Sequence, residues 1–202
     1  STNLRYIGGS RGSDTMTGSG SSDLFYPDGG VDIITGGDGN DIFSNIYPHQ
    51  EKLTITDYES FEEVEFEDAY WETNGSYGFT TADIESQFSI RYDEASQQTL
   101  LSINTDKVNK EDFVVLANGQ FELSHYSLED GLTGLEVFLK DENATRNDYW
   151  VSDDVDQFGI KHFVSGSEIG FDDDFGFDSD NYADQVSVTY DSVKDQTFID
   201  IN

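Results

Sequence analysis

Cysteine is absent from the 202 residues, which removes disulfides and thiolate metal sites. Basic residues are scarce: 10 Lys and Arg stand against 42 Asp and Glu, a formal net charge of −32 at pH 7. Nucleic acid and anionic membranes are poor partners because both would repel such a surface, and no nucleic-acid partner is expected. No apolar run approaches the ~18 residues of a transmembrane helix, so no membrane insertion is expected. The opening STNLRYIGGSRG lacks a basic region followed by an apolar one and does not read as a signal peptide. The chain enters its repeats almost at once, which is the expectation for a C-terminal part of a longer protein. Nucleophile elbow, P-loop and nucleotide fingerprint are missing too. His49, His125 and His162 are scattered without an H-E-x-x-H pair, which leaves zinc little support. Among so many acids, carboxylate pairs arise by chance and say nothing about glycoside chemistry. The catalytic residue set is empty, and the chain reads as non-enzymatic, whatever domain its parent carries.

What is present is period. Asp14, Asp23, Asp32 and Asp41 are nine residues apart, each at the sixth position of a nonapeptide: GSRGSDTMT, GSGSSDLFY, PDGGVDIIT and GGDGNDIFS. Two positions after each comes an apolar residue, Met16, Phe25, Ile34 or Phe43. A tandem G-G-x-G-x-D-x-U-x pattern reads as a parallel β-roll that binds Ca²⁺. Glycine bends the first six positions tightly, because it visits positive φ without steric cost. Ca²⁺ takes about six to eight oxygen ligands, so one short loop cannot complete a site. Two nonapeptides make one coil of 18 residues. Asp14 is therefore expected to face Asp32 across one ion and Asp23 to face Asp41 across another, on the opposite edge.

Residues 9–44 resemble the RTX family of secreted bacterial proteins, named for repeats in toxins and found also in serralysin-type proteases and alginate epimerases. The likeness continues more loosely through 45–124: EKLTITDY resembles the segment that closes serralysin-type rolls, and LLSINTDKVNKEDFVVL the closing hairpin of those modules and of epimerase calcium-binding modules. The resemblance implies calcium ligands at Asp14, Asp23, Asp32 and Asp41, with main-chain oxygens around Gly12, Gly30, Gly37, Asp38 and Gly39. It places further acidic ligands at Glu51 and Asp57, for which a solvated surface is the competing reading. Ser10, Ser19, Ser21 and Pro27 depart from the consensus, so the first three loops are expected to bind more weakly, or one site to be incomplete. The family also implies export by type I secretion and folding on Ca²⁺ outside the cell.

The fold is expected to be all-β: a roll over 1–50, a first β-module over 51–125 that closes it, and a second over 126–202 without nonapeptides, the two modules forming a duplicated antiparallel sandwich. The 15 Phe, 11 Tyr and 2 Trp supply a core despite the charge. QFSIRY and QTLLSIN read as a hairpin, and so does DFVVLANGQFEL around Asn118-Gly119. One helical turn is expected near 81–86. Residues 87–104 align without gaps to 185–202 with eight of 18 identical, and 55–70 to 160–175 with five of 16, which motivates the duplication. Val186, Val188, Tyr190, Ile199 and Ile201 are expected on one buried face, and the copies are expected side by side. In DDDFGFDSD, Asp172, Asp173, Asp174, Asp178 and Asp180 cluster like a calcium loop but lack EF-hand spacing, so a solvated acidic loop is favoured over a weak second site. Tyr70, Trp71 and Trp150 are read as core before sugar-stacking. Two functions stay open: a calcium-folding module, or a calcium-dependent carbohydrate- or surface-binding module whose partner is a polysaccharide or cell-surface glycan.

Overall fold

The structure, a computed structural model, describes residues 4–44, 46–47, 50–67, 79, 84–105, 109–129, 134–145, 148–151, 155–161, 167–171, 186–193 and 196–201. Within them the chain is all-β apart from one helical turn. The period-nine region alternates between two sheets. β1 (Arg5–Ser10), β2 (Thr15–Ser19), β3 (Asp23–Asp28), β4 (Gly30–Gly37), β5 (Ile42–Phe43), β6 (Gln50–Ile55) and β7 (Glu63–Glu67) fall in turn in the first sheet and the second. Every pairing among them is parallel. Arg5 lies opposite Asp23, Thr15 opposite Ile33 and Leu24 opposite Ile42, the 18-residue step that the repeats predict. The next coil is longer: Ile42 lies opposite Glu63, a step of 21. On the β4–β6 side the register slips between Gly30 and Val31, next to Gln50.

The apolar residue of each repeat points inward. Met16, Phe25, Ile34 and Phe43 are buried, and Phe25 stacks on Phe43 one coil away at 5.4 Å. Each such side chain contributes roughly 1.5–3 kcal/mol. Beyond the coils the sheets grow antiparallel. After the turn α1 (Ile84–Gln87), β8 (Phe88–Asp93) and β9 (Gln98–Asn104) form the expected hairpin, and β10 (Asn109–Leu116) joins it to β6. β11 (Glu122–Glu129) and β12 (Gly134–Lys140) extend the first sheet from β7. β13 (Tyr149–Val151) and β15 (Ile169–Phe171) make a small parallel pair, while β14 (Val155–Ile160), β16 (Val186–Asp191) and β17 (Gln196–Ile201) complete the first sheet. One core runs from Met16 through Phe66 and Phe113 to Leu139. The parallel coils and the antiparallel strands beyond them share it.

Two expectations are corrected. Residues 112–123 are not a hairpin: β10 pairs with β6 and β9 in the second sheet, and β11 with β12 and β14 in the first. The Asn118-Gly119 turn carries the chain across the core instead, with Asn118 donating to the Tyr58 carbonyl at 2.8 Å. The C-terminal apolar alternation is also only partly buried. Ile199 is 3% exposed, whereas Val188 and Tyr190 are 66% and 61% exposed, because β16 is the last strand of the nine-stranded sheet. The hairpins β8–β9 and β16–β17 do share one register: Tyr92 opposite Thr99 and Asp93 opposite Gln98, Tyr190 opposite Thr197 and Asp191 opposite Gln196. They terminate different sheets.

Candidate metal centre

Stacking loops 18 residues apart demands close backbone approach, and glycine allows it. A Cβ on Gly18 would lie 1.8 Å from the Gly36 carbonyl oxygen. At Gly37, φ is +99° and a Cβ would lie 1.9 Å from the Ser19 oxygen. Gly30 likewise has positive φ and rests against the Gly12 carbonyl, and Gly39 against Ser22. Asp38 is exposed, and its N–H donates to Ser19 O at 3.1 Å. The four repeat loops thus form two columns, one on each edge of the roll.

Each column is a ladder in which a sixth-position carboxylate accepts from the backbone one coil earlier. On the first edge the Asp14 N–H donates to Asp32 Oδ1 at 2.7 Å. On the second the Asp23 N–H donates to Asp41 Oδ1 at 2.7 Å, and the Asp41 N–H to Glu62 Oε1 at 3.3 Å. The pairs expected from the spacing are therefore brought together, and Glu62, unforeseen, continues the second ladder across the longer coil. In the first two loops the remaining oxygen turns back on its own loop. Asp14 Oδ2 accepts from the N–H and hydroxyl of Ser10, both at 2.7 Å. Asp23 Oδ2 accepts from the Ser19 N–H at 2.6 Å and its hydroxyl at 2.9 Å. The serines that depart from the consensus supply those hydroxyls.

The fourth loop differs. Asp57 reaches up from the closing segment and takes the N–H groups of Gly36 and Gly37, at 2.8 and 3.0 Å. Gly37 is the counterpart of Ser10 and Ser19, so Asp41 is denied that donor and has no hydroxyl beside it. Its Oδ2 is buried without a partner, on a residue 1% exposed. Burial pushes the Asp41 carboxyl up to about 6, and the strongest charges acting on it are the carboxylates of Asp23, Asp57 and Glu59. Burial and the Asp41 charge likewise push Glu62 up to about 8, against a hydrogen bond from the Glu59 N–H. Asp23 shows the opposite balance: burial would raise it, but Arg5 and Ser19 outweigh that and hold it below the usual range. Oxygen ligands of this kind suit a hard divalent cation, and the buried Asp41 Oδ2 lacks a donor on the second edge. Asp41 is the candidate ligand there, and the Asp57 charge acts on it while its own charge acts on Glu62. Glu51, by contrast, is exposed on β6 beside the charge of Lys110.

A second acidic group escaped sequence reasoning. Carboxylate oxygens of Glu63, Glu65 and Glu136 lie within 4.8 Å of one another and could hold a metal ion. Glu65 lies directly opposite Glu136 on adjacent strands, with Glu136 accepting from the Ser127 hydroxyl. The alternation of Glu63, Glu65 and Glu67 was visible in the sequence, but the pairing of β7 with β12 was not. His125 is a core residue, stacked on Phe138 at 4.3 Å and edge-on to Tyr149 at 4.8 Å, and burial lowers it to about 3. His49, His162, Tyr70, Trp71 and the acidic stretch 172–180, with Asp172, Asp173, Asp174, Asp178 and Asp180, lie outside the described residues; Trp150 sits in β13, with nothing described of its side chain. No protein-family model and no curated protein matches the chain.

Proposed function

We propose that the chain is a non-enzymatic calcium-binding module of a secreted RTX-type protein, folding on Ca²⁺ outside the cell and supporting type I secretion. The observation that carries this reading is the buried, partnerless Oδ2 of Asp41 within an acidic ladder. Without a cation, Asp41, Asp57, Glu59 and Glu62 crowd one edge, and their repulsion opposes folding. Extracellular calcium modules bind at about 10⁻⁴–10⁻³ M, matched to the ion outside the cell, and ligation then supplies folding free energy. The second half is read as a derived copy of the first, on the shared hairpin register and on the parallel pair β13–β15, which begins within NDYW as β5–β7 begins within NDIF. Circular dichroism during calcium titration tests the function: the β signal should develop with Ca²⁺, and a fully folded chain in excess chelator would overturn it.

One observation favours the second reading, a calcium-dependent glycan- or surface-binding module. Tyr6, 66% exposed, lies 4.8 Å from Tyr26 on the outer face of the first sheet, a pair able to stack on a sugar ring. A glycan array in calcium and in chelator discriminates: calcium-dependent hits lost in Tyr6→Ala support this reading.

A further inference from the structure

On the first edge, Gln50 lies opposite Gly30 at the start of β6, 18 residues beyond Asp32, and its side chain reaches back to that aspartate. Nε2 lies 2.9 Å from Gly30 O, 2.9 Å from Asp32 Oδ2 and 3.1 Å from Lys52 O. Three oxygens, one of them a buried carboxylate, converge on a single donor. That is the chemistry of a hard-cation site: carbonyls and a carboxylate around a positive centre. The Oε1 of the same amide is buried without a partner, so the side chain is held in place by what its nitrogen does. The backbone is fixed as well. Lys110, reaching from β10 with its ammonium 4.7 Å from the centre of the Phe113 ring, donates to the Gln50 carbonyl.

The rest of the roll sharpens the contrast. Asp14 is satisfied by Ser10, and Asp23 by Ser19 together with Arg5, whose Nε lies 2.8 Å from Oδ1 and Nη2 3.2 Å from Oδ2. Asp32 has both oxygens taken, by the Asp14 N–H and by Gln50. Of the four repeat aspartates, Asp41 has the one oxygen that is both buried and partnerless. We infer that the Gln50 amide takes the place of a cation on the first edge, satisfying the Asp32 carboxylate by hydrogen bonding, so that among the four repeat aspartates cation binding is confined to Asp41 on the second edge. This rests on the proposed calcium-binding reading for the second edge. For the first edge it replaces the expected Asp14–Asp32 ion with a hydrogen-bonded amide.

The test is isosteric. Gln50→Glu keeps the shape and exchanges the donor for a carboxylate oxygen facing three others, which at pH 8, with both carboxyls ionised, a bound cation would hold together. Calcium ions per chain are counted by native mass spectrometry, and melting temperature is read in chelator and in CaCl₂. The variant should melt lower than the parent in chelator, recover in calcium, and carry one ion more. A folded variant with the parent's ion count overturns the inference. So does a variant that stays unfolded in calcium while Gln50→Met folds. If neither variant folds, the unaltered chain decides through its Gln50 side-chain NH₂ resonance: unmoved by calcium the inference stands, displaced at saturation it falls. A parent chain that binds no calcium sinks the proposed function instead, and the difference in ion count between parent and Gln50→Glu still reports on the amide.

Discussion

Asp14 and Asp41 occupy the same position of the same repeat, yet their surroundings give them different work. Asp14 is partly exposed and returns to Ser10, closing its own loop. Asp41 is buried, accepts from the coil before and offers its second oxygen to nothing in the chain. Asp41→Ala should therefore cost calcium affinity by at least about tenfold, or 1.4 kcal/mol. Asp14→Ala should cost less than that, and isothermal titration of both variants decides; equal losses would mean that the serine hydroxyls do not matter. This division was half legible. The sequence showed that Ser10 and Ser19 replace glycine and that the fourth loop keeps both glycines. It did not show that those hydroxyls satisfy the carboxylates, nor that Asp57 would take the donor Asp41 lacks. The second fact depends on a coil lengthened from 18 to 21 residues, and a fixed period carries no phase across such an insertion. Gln50 was missed for the same reason.

At the scale of strands, local alternation predicted which side chains share a face but not whether that face would be covered. β16 and β17 alternate alike, and they pair in register, with Val188 opposite Ile199. Ile199 is buried because its strand lies between two others, with Phe158 on the facing position of β14. Val188 is on the edge. Ile199→Ala should therefore destabilise by about 2–5 kcal/mol, while Val188→Ala should stay within about 0.5 kcal/mol. Urea unfolding of the two variants measures both, and a comparable loss at Val188 would mean that the face is covered in solution. Sheet membership escaped the sequence for the same physical reason as the Asn118-Gly119 crossing. A turn signal reports that the chain reverses, whereas which sheet receives the next strand is settled by the shared core that Phe113, Phe121 and Tyr58 fill together.

The molecule as a whole holds two sets of groups whose protonation pulls stability in opposite directions. Glu62 and Asp41 sit above their ordinary values, at about 8 and about 6, because burial disfavours their charge. The folded, metal-free chain keeps protons there that the unfolded chain would release. Their contribution is complete below about pH 4, the unfolded range, and is lost as pH rises through 6 and then 8. His125 does the reverse. Held neutral down to about 3 against an ordinary 6.5, it contributes fully above pH 6.5 and loses that contribution as the unfolded chain takes up its proton on the way down to 3. Because one core joins the parallel coils to the antiparallel strands, both limbs should be read in a single melting transition. In chelator, the melting temperature should fall from pH 6.5 to 9 as the second edge ionises against itself. Calcium should remove that alkaline loss, since its ligands must be deprotonated to bind and the ion then offsets their repulsion. The acid limb, set within the His125 cluster away from the repeats, should persist in both conditions. Scanning calorimetry from pH 4 to 9 checks all of this, and a metal-free melting temperature that climbs between pH 6.5 and 9 would show that Asp41 and Glu62 are not the strained acids of the fold.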